Sequence, residues 1–466
     1  MIARRTLLGR LTALLMVSRA WPVLSAKASL KMFDVHDFGA VGDGRVSDTA
    51  AIQRAIDAAG KSGGGARVLL RSGHVYLTGP LRLAGGIDFH LAGDARLLVS
   101  ADPTDYDPVR QSVLWANGAD RLNISGTGTI DGRSPDFMDH YDQANEWWIP
   151  KSFRPRLLVI EDSADLVIRD VTFRHAPSWT IHLLSCRRVL VDHVTIQNQL
   201  DVPNCDGIDP DHCQDVEIRN CRITCGDDAI VIKTTRGHER YGPSRNIHVH
   251  DCVLETQDSG LKIGTETCQD IHDILFERCR ILTSCRGLCI QLRDEGNVRD
   301  IVFRDIEFVA RYHSPPWWGR GEAISFTALP RNPGVVTGNI QRVTVENVTG
   351  RAENSIRIEG LGGSRISDVT LRNVAVKFER WTTYPGRVFD NRPTTATVPL
   401  EPHDTPAISI RHADRVTLDH CTISWGANPP DYFTHAIEAE DVTELNHRHF
   451  TGTAAHPDRQ AAISIR

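Results

Sequence analysis

The sequence predicts an all-β protein folded as a right-handed, single-stranded parallel β-helix with a short capping helix near its amino terminus. Eight β-rich phrases recur, and the centres of the first six lie 23, 27, 31, 27 and 27 residues apart. Each phrase alternates apolar and polar residues and then usually reaches Asp, Asn or His, which tolerate a tight bend. Long helical patterns are absent, so a repeat of this length indicates a solenoid. The phrases are LVIRDVTF (166–173), VLVDHVTI (189–196), VEIRNCRI (216–223), IHVHDCVL (247–254), ILFERCRI (274–281), IVFRDIEF (301–308), VTLRNVAV (369–376) and VTLDHCTI (416–423).

The first 28 residues have the features of an export signal. Arg4-Arg5 precedes an apolar stretch from Leu11 to Val17, and Ala26-Lys27-Ala28 offers a small-residue cleavage site. The segment looks like a twin-arginine signal of a bacterial protein, with an ordinary secretory signal as the alternative. Either signal predicts export to the periplasm or the extracellular space.

Residues 29–466 are predicted to form a single β-helix domain, because a solenoid grows without a larger globular core. Residues 33–100 read as the amino-terminal cap and first coils. Ser47 or Asp48 is expected to cap a short helix that would cover the open end of the solenoid. Its apolar stripe is Ile52, Ala55, Ile56 and Ala59.

Stacked coils place equivalent residues about 4.8 Å apart, so like residues form columns. The cysteines of one such column are therefore predicted to be small buried apolar residues. Five other cysteines leave a disulfide open, although eleven cysteines cannot all pair. The column is Val171, Val194, Cys221, Cys252, Cys279, Ile306, Val374 and Cys421, and the five others are Cys205, Cys213, Cys225, Cys285 and Cys289.

Two acidic clusters lie one repeat apart, in Asn204-Cys205-Asp206 and Gly226-Asp227-Asp228. Asp206 and Asp227 differ by 21 residues, close to one coil, which predicts neighbouring coils of one face. Asp228 would point away in a regular strand, but Gly226 permits a bend towards the same groove. Three clustered carboxyl groups suggest chemistry on a glycosidic bond, because like charges raise the proton affinity of one of them.

A family resemblance adds to this prediction. The run from FDVHDFGAVGDGRVSDTAAIQRAIDAA through YLTGPLRL, GTGTIDG, WTIH, NCDGIDPD and CGDDAIVIK resembles glycoside hydrolase family 28, the polygalacturonase family. It covers nearly the whole mature chain. The resemblance implies a β-helix of the pectin-lyase-like type and hydrolysis of O-glycosidic bonds in pectin-type polysaccharides or oligosaccharides, galacturonan or rhamnogalacturonan-like.

The resemblance also implies a role for each acid. Asp227 matches the general acid, Asp206 and Asp228 match the bases that share the attacking water, and Asn204 matches the Asn of the first motif. Inversion at the anomeric carbon is implied. Inverting enzymes usually hold their two carboxyl groups about 6.5–9.5 Å apart.

The resemblance fails at the groups that hold galacturonate. Asp258-Ser259-Gly260 stands where the family carries Gly-His-Gly, and Cys289-Ile290-Gln291 replaces its Arg-Ile-Lys. A galacturonate carboxylate would lose charge-assisted partners, typically worth about 1.5–3 kcal/mol each. Nearby groups are candidates to bind sugar instead: Lys233, Ser259, Lys262, Glu266, Arg293, Trp179 and His182.

Two tryptophan-rich loops are candidates for the groove wall or for a hydrophobic latch. One contains Trp147 and Trp148, and the other runs from His313 to Glu322. A wall at one end of the groove would favour attack at chain ends.

Other partners and cofactors are not indicated. The formal charge of −6 becomes −11 once the five basic groups of residues 1–28 are removed, which argues against nucleic acid. No apolar run is long enough to span a membrane, and no metal site or cofactor is expected. A monomer is the default for a capped solenoid. The alternatives are a calcium-dependent β-helix lyase and a non-catalytic glycan-binding protein.

Overall fold

The computed structural model describes residues 30–361 and 363–466, and they form the predicted right-handed parallel β-helix. Nearly all strands join one large sheet in which each strand pairs in parallel with its equivalent on the next coil. Two short antiparallel pairs lie outside that sheet.

The amino-terminal strands are β1 (Lys31–Asp34), β2 (Asp43–Ser47), β3 (Ala66–Leu70), β4 (Val75–Thr78), β5 (Leu81–Arg82), β6 (Ile87–Leu91), β7 (Arg96–Val99), β8 (Ser112–Asn117), β9 (Asn123–Ser125), β10 (Thr129–Asp131), β11 (Met138–Asp142) and β12 (Trp147–Pro150). The central strands are β13 (Arg156–Glu161), β14 (Ala164–Arg169), β15 (Thr172–Arg174), β16 (Ile181–Leu184), β17 (Arg187–Asp192), β18 (Thr195–Gln197), β19 (Ile208–Asp211), β20 (Gln214–Arg219), β21 (Arg222–Cys225), β22 (Ile230–Thr234), β23 (Ser244–His250), β24 (Val253–Thr256), β25 (Ser259–Thr267), β26 (Ile271–Glu277), β27 (Arg280–Ser284) and β28 (Arg286–Leu292). The carboxyl-terminal strands are β29 (Val298–Ala310), β30 (Glu322–Ala328), β31 (Ile340–Ala352), β32 (Asn354–Gly360), β33 (Ile366–Phe378), β34 (Val388–Asp390), β35 (Leu400–Pro402), β36 (Ile408–Asp419), β37 (Thr422–Trp425), β38 (Ile437–Arg448) and β39 (Ile463–Ile465).

Three strands per coil give the solenoid three faces in its central part. One face stacks β13, β16, β19, β22, β25 and β28. A second face stacks β14, β17, β20, β23 and β26, and a third stacks β15, β18, β21, β24 and β27. In the coils of β29, β31 and β33 the second and third faces are covered by single strands of 13 residues.

The bend between the second and third faces has left-handed backbone on every coil. The bend residues have φ between 49° and 66°, a region that Asn, Asp and His adopt more readily than other side chains. Arg278 is the exception, and it forms an ion pair with Asp251 of the preceding coil. The column comprises Asp170, His193, Asn220, Asp251, Arg278, Asp305, Asn347, Asn373, His420 and His449.

The core is the interior of the solenoid, where the predicted column of Val, Ile and Cys residues is buried on each coil. All eleven cysteines are buried and free, so the structure contains no disulfide among them. The thiols act as small apolar side chains, as free cysteines commonly do.

The helix α1 (Thr49–Gly60) packs against β1 and β3, and its predicted stripe is buried. The predicted side-chain cap is wrong. Asp48 precedes α1, but its carboxylate accepts hydrogen bonds from the backbone N–H groups of Val41 and Gly42, at 2.6 and 3.0 Å, instead of capping the helix. Asp48 thus ties the preceding turn to the cap.

The predicted export signal, residues 1–28, lies outside the described residues and stays a prediction. Among residues 30–361 and 363–466, no helix has the length and apolar character that crossing a membrane requires.

Candidate active site

A cavity of about 470 Å³ opens over the face formed by β16, β19, β22 and β25. It brings together eight of the predicted site residues: Asp206, Asp227, Asp228, Asn204, Lys233, Lys262, Glu266 and Trp179. Its other lining residues are Trp147, Pro150, Pro203, Asp258, Thr265, Pro316, Trp317, Trp318, Arg331 and Pro393.

The strand register decides which acids are neighbours. Ile208 pairs with Ile230, so Asp228, and not Asp227, lies beside Asp206 on the next coil. The backbone N–H of Gly207 donates to the Asp228 carbonyl at 2.9 Å, which fixes this register. The sequence spacing had paired Asp206 with Asp227 instead.

Asp227 reaches the cavity from the bend that precedes β22. Its Oδ2 accepts hydrogen bonds from the backbone N and the side-chain Nδ2 of Asn204, at 3.1 and 3.4 Å. One carboxylate oxygen from each of Asp206, Asp227 and Asp228 lies within 4.8 Å of the others. The predicted clustering of the three acids is therefore present in the structure.

Gly226 makes the bend possible through close packing. A Cβ at this position would lie 2.2 Å from the carbonyl oxygen of Val202, a contact that no side chain can make. Its φ is not in the left-handed region, so backbone freedom is not the reason for the glycine. Its N–H donates to the buried Sγ of Cys205 at 3.0 Å, which joins the two acidic motifs.

The three acids differ in exposure. Asp206 and Asp228 are 3% and 2% exposed, while Asp227 is half-buried and faces the cavity. Burial, with the neighbouring charges of Asp206 and Asp228, raises the pKa of Asp227 well above its usual range. Burial and the nearby Asp209 likewise raise the pKa of Asp206. The cluster therefore binds protons more tightly than isolated carboxyl groups do, and Asp227 is its most accessible member.

Lys262 forms a buried ion pair with Asp228. Its Nζ lies 2.6 Å from Asp228 Oδ2, and both side chains are almost fully buried. Burial alone would lower the pKa of Lys262, but the charges of Asp228 and Asp258 outweigh it and raise the pKa. Asp228 is held between Lys262 and the backbone N–H of Ser259, 3.3 Å from its Oδ1.

Lys233 is the second buried cation of the cavity. Its Nζ lies 3.3 Å from Glu266, 3.7 Å from Asp209 and 3.9 Å from Asp206. Burial opposes its charge, but these carboxylates raise its pKa well above the usual range. Burial also opposes the charge of Glu266, but Lys233 and then Arg331 lower the pKa of Glu266 to about 2.

Asp209 is a buried acid that the sequence analysis missed. It is fully buried on β19 beside His182, and neither carboxylate oxygen has a hydrogen-bond partner. Burial raises its pKa to about 7, although Lys233 acts in the opposite direction. Its position three residues after Asp206 was the available signal.

Three predicted sugar-binding residues do not line the cavity. His182 is 4% exposed and its ring nitrogens contact Arg156 and Asp211, at 3.0 and 3.2 Å. Arg293 is fully buried and donates to the carbonyl groups of Leu292, Thr327 and Asn391. Ser259 is buried, and its Oγ donates to Asp258 at 2.9 Å.

These three predictions are corrected for one physical reason. Each side chain is buried and already bonded within the protein: His182 to Asp211, Ser259 to Asp258, and Arg293 to backbone carbonyl groups that include that of Asn391.

Tryptophans form much of the cavity wall. Trp179 lies under two cations, with Lys233 Nζ 4.7 Å and the Arg156 guanidinium 4.3 Å from its ring centre. Trp147 and Trp317 meet edge to face at 5.6 Å, so the two predicted loops contact each other and both line the cavity. The two loops therefore form part of the cavity wall and also hold each other in place through apolar contact.

Two groups among the described residues have the composition of a cation site. They are the three catalytic-type acids and an exposed set on the last coils, Asp419, His420 and His449. In the first set, Asp228 is already paired with the ammonium of Lys262 at 2.6 Å.

Comparisons with known proteins identify the family of this chain. The sequence profile of glycosyl hydrolases family 28 matches residues 70–384. A probable polygalacturonase of Vitis vinifera is 28% identical over 377 residues, 73% of this chain and 73% of that protein.

Two solved structures share the fold. The exopolygalacturonase of Thermotoga maritima is 20% identical with a TM-score of 0.66, over 84% of this chain and 92% of that one. The family 28 exopolygalacturonase of Yersinia enterocolitica is 19% identical with a TM-score of 0.69, over 89% and 78%. The family profile spans most of the chain, and the matched residues include the acid cluster. This protein therefore belongs to glycosyl hydrolases family 28.

Proposed function

We propose that this glycosidase cleaves O-glycosidic bonds in a pectin-type oligosaccharide or polysaccharide, with Asp227 as general acid and Asp206 and Asp228 as the groups that activate water. Its membership of family 28 and the names of its polygalacturonase relatives support the substrate class. The predicted signal supports export to the periplasm or the extracellular space.

The observation that carries the proposal is the position of Asp227. It is the half-buried member of the acid cluster, and its raised pKa keeps a proton available at the cavity surface. A general acid must keep its proton until it meets the leaving oxygen and must have access to that oxygen, and the raised pKa and half-buried position of Asp227 serve these two needs.

The reaction follows from this placement. Asp227 donates its proton to the glycosidic oxygen as the bond to the anomeric carbon breaks. A water molecule attacks that carbon and gives its proton to Asp206 or Asp228. The net result is one water consumed and two saturated sugar ends formed.

Inversion is supported by the contacts of Asp228 rather than by spacing. Both oxygens of Asp228 are engaged, by Lys262 and by Ser259 N–H, which disfavours direct attack on the sugar. Water is then the better nucleophile.

Substrate binding is assigned to the side chains that face the cavity. Trp179 offers a ring face, Lys233 and Glu266 offer a donor and an acceptor for hydroxyl groups, and Asn204 positions Asp227. Past β25 the face is covered, because Gln291 of β28 is fully buried and donates to the Arg392 carbonyl of an overlying segment at 3.1 Å. A groove that ends there favours attack at chain ends.

The test compares wild type with Asp227→Asn on oligogalacturonides, rhamnogalacturonan fragments and neutral oligosaccharides, all in chelator. Saturated products that disappear in the variant support the proposal. Asp170→Asn is the matched control, because Asp170 lies at an exposed bend where other coils carry Asn, and it should keep full activity. Unsaturated products that need calcium would indicate a lyase, and binding without turnover in wild type would indicate a glycan-binding protein.

A further inference from the structure

We infer that the sugar lying over Asp206, Asp227 and Asp228 is uncharged, so that the protein acts on a neutral sugar residue rather than on galacturonate. The inference rests on the proposed function, which leaves the identity of that sugar open. It follows from the charges of the cavity and from what each cation already contacts.

The cavity has more acids than bases. Its lining contains five carboxyl side chains and three cationic ones. With one carboxyl protonated as the general acid, four carboxylates face three cations. The acids are Asp206, Asp227, Asp228, Asp258 and Glu266, and the cations are Lys233, Lys262 and Arg331. A second carboxylate on the substrate would enter a field of its own sign.

Each of the three cations already has a carboxylate partner. Lys262 lies 2.6 Å from Asp228 and Lys233 lies 3.3 Å from Glu266. Arg331 Nε and Nη2 lie 2.7 and 2.8 Å from the two oxygens of Asp294, a bidentate pair. A galacturonate carboxylate could take one of these cations only by competing with the carboxylate that already holds it, and Asp228 and Asp294 would be left as buried charges without a partner.

The next coil supplies no replacement. Lys262 pairs in register with Cys289, and Gly264 pairs with Gln291, both uncharged and fully buried. Arg293 is the next residue on that side of the strand, and its guanidinium donates hydrogen bonds to backbone carbonyl groups. Arg286, the charged residue of β28, is fully buried between Asp258 and Asp390 and does not line the cavity, so no charge on β28 faces it.

Two further arginines lie close to the acids without lining the cavity. Arg154 donates to the Pro203 carbonyl and to Asn204 Oδ1, both at 2.5 Å. Arg156 is held between the Trp179 ring and His182. These contacts hold the cavity wall in place and leave no guanidinium directed at a substrate.

What the cavity does present suits hydroxyl groups. The Lys233–Glu266 pair places a donor and an acceptor 3.3 Å apart, matched to adjacent hydroxyls of one ring. Trp179, Trp147 and Trp318 supply apolar surface for the carbon faces of a sugar. A neutral hexose or deoxyhexose at a chain end meets both requirements.

The experiment uses two substrates with the same linkage that differ only in charge: α-1,4-oligogalacturonides and the same oligomers after reduction of their carboxyl groups to hydroxymethyl groups. Oligomers with a terminal neutral deoxyhexose complete the set. We expect kcat/KM at least 100-fold higher on the best uncharged substrate. Turnover of oligogalacturonides at an equal or higher rate would overturn the inference while leaving the hydrolase proposal intact.

Failure of every substrate would count against the hydrolase proposal instead, and binding then tests the inference. Calorimetry on Asp227→Asn should show tighter binding of the reduced oligomer than of its galacturonide, and the opposite order overturns the inference.

A variant tests the cause. Glu266→Gln removes one acid and releases Lys233, so the preference for uncharged over charged substrate should fall at least tenfold. Glu295→Gln is the control, because Glu295 pairs with Arg236 at 2.6 Å outside the cavity lining, and it should leave the preference unchanged. An unaltered preference in Glu266→Gln would show that charge does not set the specificity.

Discussion

Replacing Lys262 with Met tests whether the buried ion pair with Asp228 organises the acid cluster. Met keeps most of the side-chain volume and removes only the ammonium group. Both partners are 2% exposed, and their atoms lie 2.6 Å apart, so Asp228 would be left as a buried charge without a partner. Breaking a buried pair in this way typically costs about 3–5 kcal/mol.

The cost should depend on pH, because a protonated carboxyl needs no cation. Protonating an ordinary aspartic acid of pKa about 3.9 costs about 1.4 kcal/mol for each pH unit above that value. Because Asp228 can take up a proton instead, the loss of folding stability in Lys262→Met should not exceed about 4 kcal/mol at pH 7 or about 1.5 kcal/mol at pH 5. Urea unfolding of wild type and Lys262→Met at both pH values measures these two losses.

Lys377→Met is the matched control. Lys377 pairs with Glu379 at 2.8 Å, but the two side chains are 49% and 20% exposed. Such a pair is worth about 0–1 kcal/mol at either pH. A Lys262→Met loss as small as that of Lys377→Met, or equal at pH 5 and pH 7, would refute the reasoning.

Three further predictions concern the same site. Gly226→Ala should lose activity and about 1–3 kcal/mol of stability, because its Cβ would meet the Val202 carbonyl, whereas Gly363→Ala, in open space, should change neither. Asp209 has a pKa of about 7 against the usual 3.8, so its contribution to stability is largest below pH 3.8 and is lost as the pH rises to 7. The stability of Asp209→Asn relative to wild type should therefore rise by about 3 kcal/mol between pH 4 and pH 7, measured by thermal unfolding. Activity should fall as the pH rises through the raised pKa of Asp227, since the acid must carry a proton, and a rate profile that stays flat through pH 9 would contradict this.

The fold was predictable because its signal is local and repeated. Each coil must present apolar residues inwards and a bend residue at a fixed place, so the phrases and the column of Val, Ile and Cys residues appear in the sequence. The cap of α1 was not predictable, because the Asp48 carboxylate bonds to the turn at Val41 and Gly42 instead.

The sequence predicted the acid cluster, but the predicted pairing of acids on neighbouring coils was wrong by one residue. The spacing indicated that three acids share a face, but the register placed Asp228 beside Asp206 where Asp227 was expected. The difference arises because the coil here is 22 residues long, and a shift of one residue exchanges the sides of a strand.

The remaining contacts depend on distant chain. Arg293 follows the outward alternation of β28 and was predicted to face sugar, but the segment around Asn391 covers it. Arg331 enters the cavity from a loop, and its partner Asp294 is 37 residues away. Asp209 resembled one more polar residue of a solvated strand, and only packing shows that it is buried.

The most direct test of Asp227 as general acid compares two glycosides of one sugar that differ in leaving group. Asp227→Asn should lower kcat/KM by about 10²–10⁴ on a glycoside with a sugar alcohol as leaving group, which needs a proton. The same variant should lose less than tenfold on the 2,4-dinitrophenyl glycoside, whose leaving group departs without one. Equal losses on both substrates would contradict the assignment of Asp227.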